Sequence, residues 1–139
     1  MRKKKILIII AHQDDETIGC GGAIYQHYLN GDQVFCLPFT DGVSAREDTN
    51  KKDLKTRQNS SIKVSKILKF KWVQNNNVFE DNKLDKYPLL DLIKVIEKAK
   101  NKIKPDIVYT HYFKDLNVDH KAVSMATITA FRPLKNEKC

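Results

Sequence analysis

Ile6-Leu7-Ile8-Ile9-Ile10-Ala11-His12-Gln13-Asp14-Asp15-Glu16 is the stretch on which the fold turns. Its continuous aliphatic, mostly β-branched start predicts a strand buried on both faces, as in a parallel sheet covered by helices. The polar run from His12 to Glu16 then lies just past the strand's carboxyl end, where open parallel sheets bind their ligands. Outward from this point the chain alternates. A helix is expected over residues 18–30, with Ile24, Tyr28 and Leu29 facing inward and Gly31 as its stop. A strand over 33–39 follows, leaving through the turn Thr40-Asp41-Gly42. Residues 52–68 read as a helix with Ser61, Val64, Ser65 and Leu68 on one face. A short strand at 71–73 leads into the polar loop 74–77. Pro88 opens a helix carried by Leu89, Leu92, Ile93 and Ile96 to about residue 102. Ile107-Val108-Tyr109 forms the fourth strand, and a last helix covers 119–130. Strand and helix repeated in this order predict a Rossmann-like, doubly wound α/β fold, with a mainly parallel sheet and helices on both faces.

The 139 residues fit a single domain. With 41% hydrophobic residues the chain can build a core without disulfides. The net charge of +8 comes from lysines spread along the chain rather than gathered with arginine and aromatics, so a solvated surface is expected and not a nucleic-acid binder. The cysteines Cys20, Cys36 and Cys139 show no CxxC spacing; Cys20 and Cys36 are read as small buried hydrophobes. No run approaches the ~20 apolar residues of a membrane span, and the apolar run ending at Ala11 is too brief for a signal peptide. The cytoplasm is the expected compartment.

Two clusters carry chemistry. His12, Asp14, Asp15 and Glu16 follow the first strand; His111, Asp115, Asn117, Asp119 and His120 follow the fourth at the same rim. Catalytic zinc takes three ligands of the His and carboxylate type and keeps a position open for water. His12 and Asp15, three apart on a turn entering a helix, can converge on one ion, and a histidine of the second cluster completes the set. Asp14 stands beside them as a base for water. Gly19, Gly21 and Gly22 are expected to let backbone approach the site; their spacing does not match a G-x-G-x-x-G phosphate loop. Either cluster alone reads more simply: acidic residues favour a helix N-terminus, and a single histidine is commonly a hydrogen-bonded loop residue. His27 is read as a surface residue. The pairing of the clusters raises the metal reading above these.

Ala11-His12-Gln13-Asp14-Asp15-Glu16 resembles the A-H-P-D-D-E signature of the LmbE-like, or PIG-L, family of zinc-dependent deacetylases, with Gln13 in the place of proline. Ile18-Gly19-Cys20-Gly21-Gly22, Thr40-Asp41-Gly42, and Thr110-His111 followed by Asp115-Leu116-Asn117-Val118-Asp119-His120 continue the resemblance. It implies zinc, or another divalent metal, held by His12, Asp15 and His120, with Asp14 as general base. Arg57 is similar to an arginine the family places near its substrate, and Asp41 is assigned to the substrate side with it. Relatives carry a histidine where this chain has Asn117. An amide donates a hydrogen bond but no proton, so His111 is the candidate acid. The implied activity is hydrolytic removal of an N-acetyl group from an N-acetylglucosamine-type sugar conjugate. The alternatives are a non-catalytic binding module of the same family and a metal-dependent amidohydrolase acting on a small non-sugar amide. The chain matches the front of such enzymes, so the family's C-terminal portion is expected to be lacking. An uncovered sheet edge favours a homo-oligomer.

Overall fold

The computed structural model of the chain describes residues 2–45, 51–76 and 79–133. Cys139 and the end of the loop at 74–77 lie outside them. Strand β1 (Lys5–Ile10) leads into helix α1 (Asp15–Leu29), and β2 (Gln33–Pro38) into α2 (Lys51–Leu68). Strand β3 (Lys71–Trp72) precedes α3 (Leu89–Ile103), and β4 (Ile107–Tyr109) precedes α4 (Val118–Ala130). All strand pairs are parallel, in the order β3-β2-β1-β4. The expected doubly wound α/β fold is present.

Successive side chains of β1 go to opposite faces of the sheet, and each face has its own core. Leu7, Ile9 and Ala11 pack with Leu37, Phe39, Leu92, Ile96, Val123 and Ala126 beneath α3 and α4. Ile6, Ile8 and Ile10 pack with Val34, Cys36, Ile24 and Phe70 beneath α1 and α2. This is why β1 has no polar residue to alternate with. Each fully buried aliphatic side chain contributes about 2 kcal/mol of transfer free energy, so β1 anchors the molecule.

Strand order decides where the site falls. The chain steps from β1 out to β2 and β3, then crosses back to place β4 on the other side of β1. Helices following β1 and β4 therefore leave on opposite faces, and a crevice opens between the carboxyl ends of these two strands. Residues about a hundred apart in sequence become neighbours there.

Several expectations need correction. Helix α1 begins at Asp15, earlier than its apolar pattern, with Asp15 and Glu16 in the first turn where the helix dipole favours them. Tyr28 and Leu29 are 42% and 60% exposed, so of the expected inward face only Ile24 is buried. Cys20 breaks the helical geometry of α1 at φ −145°, ψ 21°, within the glycine-rich segment that propagates a helix poorly. His27 is half-buried, not a surface residue: its Nδ1 lies 2.7 Å from Asp32 Oδ2 and its Nε2 3.0 Å from the Tyr109 hydroxyl.

Candidate metal centre

His12 leaves β1 with both ring nitrogens engaged. Nε2 lies 3.2 Å from Asp119 Oδ2 and 3.3 Å from Asp81 Oδ1. Nδ1 lies 3.3 Å from Asp15 Oδ2 and 3.2 Å from His120 Nε2. The backbone N–H of His12 donates to Asp15 Oδ2 at 2.8 Å, which turns the carboxylate back toward the strand end.

His120 is placed by the start of α4. Asn117 is the N-cap, and its Oδ1 accepts from the N–H groups of Asp119 (2.9 Å) and His120 (3.2 Å), satisfying donors that a helix start leaves free. Asp115 caps the loop in turn, Oδ1 accepting from Asn117 N–H at 2.9 Å. Its Oδ2 lies 3.0 Å from His120 Nδ1.

An ionised carboxylate only accepts. His12 therefore donates from Nε2 and His120 donates from Nδ1, and their remaining nitrogens face each other beside the Asp15 carboxylate. Donor atoms of His12, Asp15 and His120 all lie within 4.8 Å of one another. Two lone pairs and a carboxylate pointed at one place call for a cation. Burial by itself lowers the His12 pKa, but the hydrogen bonds to Asp119 and Asp15 and the charges of Asp15 and Asp81 outweigh it and raise the pKa to about 10. Asp15 shows the other side of this pairing: burial pushes its pKa up, yet the bonds from His12 hold it below the ordinary value.

A second donor group, His12, Asp81 and Asp119, lies on the far side of the His12 ring. Its carboxylates are already committed. Asp119, fully buried, accepts from Asn82 N–H (2.8 Å) and Leu84 N–H (2.9 Å). Asp81 accepts from the Thr40 hydroxyl (3.1 Å) and Ala45 N–H (3.2 Å). This group holds the His12 ring from behind, while the nitrogens of the first group face one another beside the Asp15 carboxylate. Carboxylates behind ligating histidines are the usual outer support of a metal, so the residues present fit zinc, whose sites favour such donors.

Asp14, Asn117 and Arg57 line one cavity of about 350 Å³ together with His12 and Asp81. The Arg57 guanidinium crosses from α2 to hold Asp14 Oδ2 (2.9 Å), the Gln13 carbonyl (2.9 Å) and the Gly42 carbonyl (3.3 Å). Gly42 sits at φ +69°, and a Cβ there would lie 2.9 Å from the His12 Cβ. Only glycine lets the loop close against the ligand. Asp41 does not line this cavity; its Oδ1 accepts from Val43 and Ser44 N–H groups and shapes the loop.

His111 is brought to the cluster but faces elsewhere. Its ring stacks on His120 with centroids 3.9 Å apart, and its Nε2 accepts from Ala11 N–H at 2.9 Å. Burial, then the neighbouring His120, lowers its pKa to about 4. A neutral ring whose Nε2 is already an acceptor holds no proton to deliver there, so the geometry disagrees with the expected acid. Gly19 lines a cavity of about 280 Å³ with Asp15 and His111, but a Cβ at Gly19 or Gly22 would meet nothing and Gly21 faces Leu68 of α2, so no close contact requires glycine at these positions. Glu16 turns into the α1 face, where burial raises its pKa and Oε2 has no hydrogen-bond partner.

Sequence reasoning missed Asp81, together with the backbone of Asn82 and Leu84. An acidic residue just after Phe79, in the long connection following β3, lies at the same rim as the other clusters. That placement was the available signal.

Fold and site together define a class: a parallel α/β protein in which two histidines and a carboxylate converge at the switch point of the sheet, with a further carboxylate beside them. Residues 7–131 match the family model PIG-L, GlcNAc-PI de-N-acetylase. The chain belongs to this deacetylase family. It is 30% identical over 138 residues to a protein of Escherichia coli K12 named "Uncharacterized deacetylase YaiS", covering 96% of this chain and 71% of that one. The N,N'-diacetylchitobiose deacetylase of Pyrococcus horikoshii superposes with a TM-score of 0.76 at 24% identity, covering 91% of this chain and 49% of that one. GalB, the 4-carboxy-2-hydroxymuconate hydratase of Pseudomonas putida KT2440, gives 0.73 at 22% identity, covering 91% and 55%. The chain thus spans about half the length of these solved structures, and at such identities they bear on the fold alone. Among the described residues no helix is long and apolar enough to cross a membrane.

Proposed function

We propose that the chain is a zinc-dependent N-deacetylase that hydrolyses the acetamide of an N-acetylglucosamine-type conjugate in the cytoplasm. The carrying observation is the meeting of His12 Nδ1 and His120 Nε2 at 3.2 Å, with a carboxylate behind each ring. His12, Asp15 and His120 would hold the ion, which when bound polarises the amide carbonyl and makes water more acidic.

The protein's own groups do the rest. Asp14 takes the proton of the attacking water, oriented by Arg57 from α2. The Asn117 amide NH2 remains for the substrate, because its oxygen is used in the cap; it donates to the developing oxyanion and supplies no proton. Asp14, once protonated, passes that proton to the departing amine. His111 acts through His120, fixing its ring plane by stacking. Asp41 acts through the loop that positions Gly42. Residues 1–139 are read as one domain.

Asp14→Asn is the direct test. The variant should keep its zinc while acetate release from an N-acetylglucosamine conjugate drops by about 10²–10⁴-fold. Zinc lost along with activity makes Asp14 a ligand instead of a base and overturns the scheme.

A further inference from the structure

Helices α1 and α2 form one layer over the sheet. Cys20 and Ile24 of α1 and Val64 and Leu68 of α2 pack on the same face, against Ile6, Ile8 and Ile10. They lie side by side, since a Cβ at Gly21 would stand 3.7 Å from Leu68 Cδ1. Their outer sides therefore share one surface, which points away from the sheet rather than along its rim. Its two halves differ in chemistry. Along α1, Ile18, Tyr25 and Leu29 are exposed, and no carboxylate, lysine or arginine occurs from Ile18 to Leu29. Along α2, Lys55, Asn59, Lys63 and Lys66 are exposed at i, i+4, i+8 and i+11, a row on the side opposite the buried Ser61. Among the described residues none of these three lysines has an ion-pair partner. Ile62 and Ile67 flank the row and are exposed as well.

The two halves fit two features of a single partner. Aliphatic and tyrosine side chains on the outer side of a helix sink as a group into the boundary between lipid headgroups and acyl chains. Lysines on long apolar stems beside them carry their charges out to the level of anionic headgroups. A nucleic acid would meet the charges but leave the aliphatic residues against water, and the row contains no arginine to grip phosphate through two bonds. We propose that the outer face of α1 and α2 is a docking surface for an anionic lipid bilayer, on which the chain lies with both helices flat in the interface. Among the described residues no helix is long and apolar enough to cross a membrane, so the association is peripheral. The inference is independent of the reaction at the metal rim.

Flotation of the full chain with vesicles tests this. Vesicles of equal parts phosphatidylcholine and phosphatidylglycerol should bind about 10²-fold more tightly than phosphatidylcholine alone, since each of the three lysines contributes about fivefold near an anionic surface. High salt should remove that difference. The paired substitution Lys63→Glu with Lys66→Glu should cost about tenfold or more. Lys63→Gln with Lys66→Gln, which removes charge without reversing it, should cost several-fold and serves if the first pair lowers Tm. A charge-matched pair on the other layer, Lys94→Glu with Lys98→Glu at exposed positions of α3, should change binding by less than about twofold, being turned away from the bilayer. Leu29→Gln should weaken binding several-fold even at high salt, because apolar burial is not screened. Equal losses from the α2 and α3 pairs would make net charge the attraction and overturn the docking face. So would a failure to float with the mixed vesicles, or a DNA duplex bound as tightly as those vesicles with no effect of Leu29→Gln.

Discussion

Two of the cavities among the described residues are nearly equal in size and opposite in chemistry. One, of about 350 Å³, lies past the ends of β1 and β4 and contains His12, Asp14, Arg57, Asp81 and Asn117. The other, of about 320 Å³, lies between α3 and the chain leaving β3, lined by Leu37, Val73, Gln74, Lys94, Lys98 and Lys102. The lysines stand at i, i+4 and i+8 on α3, where like charges repel, and among the described residues no carboxylate lines that cavity. Beside the first, opposite charges and matched donors come within 3.4 Å of one another on residues from separate segments. Strand order accounts for the difference. The crossover from β3 to β4 assembles remote segments at one rim and leaves the other to a single helix and a loop. Size does not identify a site; convergence of complementary groups does.

The sharpest way to break this contrast is to remove a ligand. In His12→Ala the donor set falls to two, and zinc affinity should drop by more than the roughly 10–100-fold that losing an outer partner costs. Competition with a chromogenic chelator reads this directly, and unchanged affinity would move the centre elsewhere. Asp119→Asn comes next. The carboxylate serves His12, Asn82 and Leu84 at once. An amide can accept on one oxygen only, so one buried N–H is left unpaired at about 1–3 kcal/mol. Urea unfolding should show this loss, and zinc binding should weaken by about 10–100-fold. Loss of stability with full zinc affinity would limit Asp119 to a structural role.

How much of this was legible in the residues follows the same division. The aliphatic run of β1 allowed only a doubly covered strand, and α3 and β4 fell close to where pattern and proline placed them. His12, Asp15 and His120 each belong to a local motif whose strand end is recognisable, and the fold brings their donor atoms within 4.8 Å of one another. What escaped depends on contacts that no local spacing encodes. Asp81 reaches His12 from the connection after β3. His111 has its Nε2 taken by Ala11 N–H, 100 residues away, with its ring stacked on His120. Arg57 was placed near substrate, and its bond to Asp14 could be seen only once α2 was packed over the β1 loop. The glycines after Glu16 looked like close-approach residues, yet a Cβ at Gly19 or Gly22 would meet nothing.

Proton linkage gives a smaller but signed test. His12 has its folded pKa raised to about 10 from 6.5, so the metal-free fold binds a proton that the unfolded chain loses above pH 6.5. That contribution is complete below 6.5 and disappears as pH rises toward 10. His111 has its folded pKa lowered to about 4; the unfolded chain gains a proton below 6.5 that the fold refuses until about 4, so stability falls with acid over that window. Together the two histidines place the maximum of metal-free stability near pH 6.5, measurable as Tm against pH. Saturating zinc should flatten the alkaline limb, because the cation occupies the position of the proton. An alkaline limb unaffected by zinc would separate His12 from the metal.

The smallest effect is expected in the other cavity. Lys98→Glu reverses a charge at the middle of the row formed by Lys94, Lys98 and Lys102, on an exposed position of α3. The new carboxylate lies four residues from each neighbouring lysine, where opposite charges on a helix gain about 0.2–0.5 kcal/mol per pair, so the substitution should leave stability level or slightly improved. Nothing in the row touches His12, Asp14 or Arg57, and charges separated by more than the Debye length of about 8 Å are largely screened at physiological salt. Acetate release should therefore stay within about twofold of the parent, and chiefly at low ionic strength should any change be seen. A larger loss that persists at high salt would show that the lysine cleft communicates with the metal rim through the packed α3 and α4 layer, and the division between an assembled site and an idle one would no longer hold.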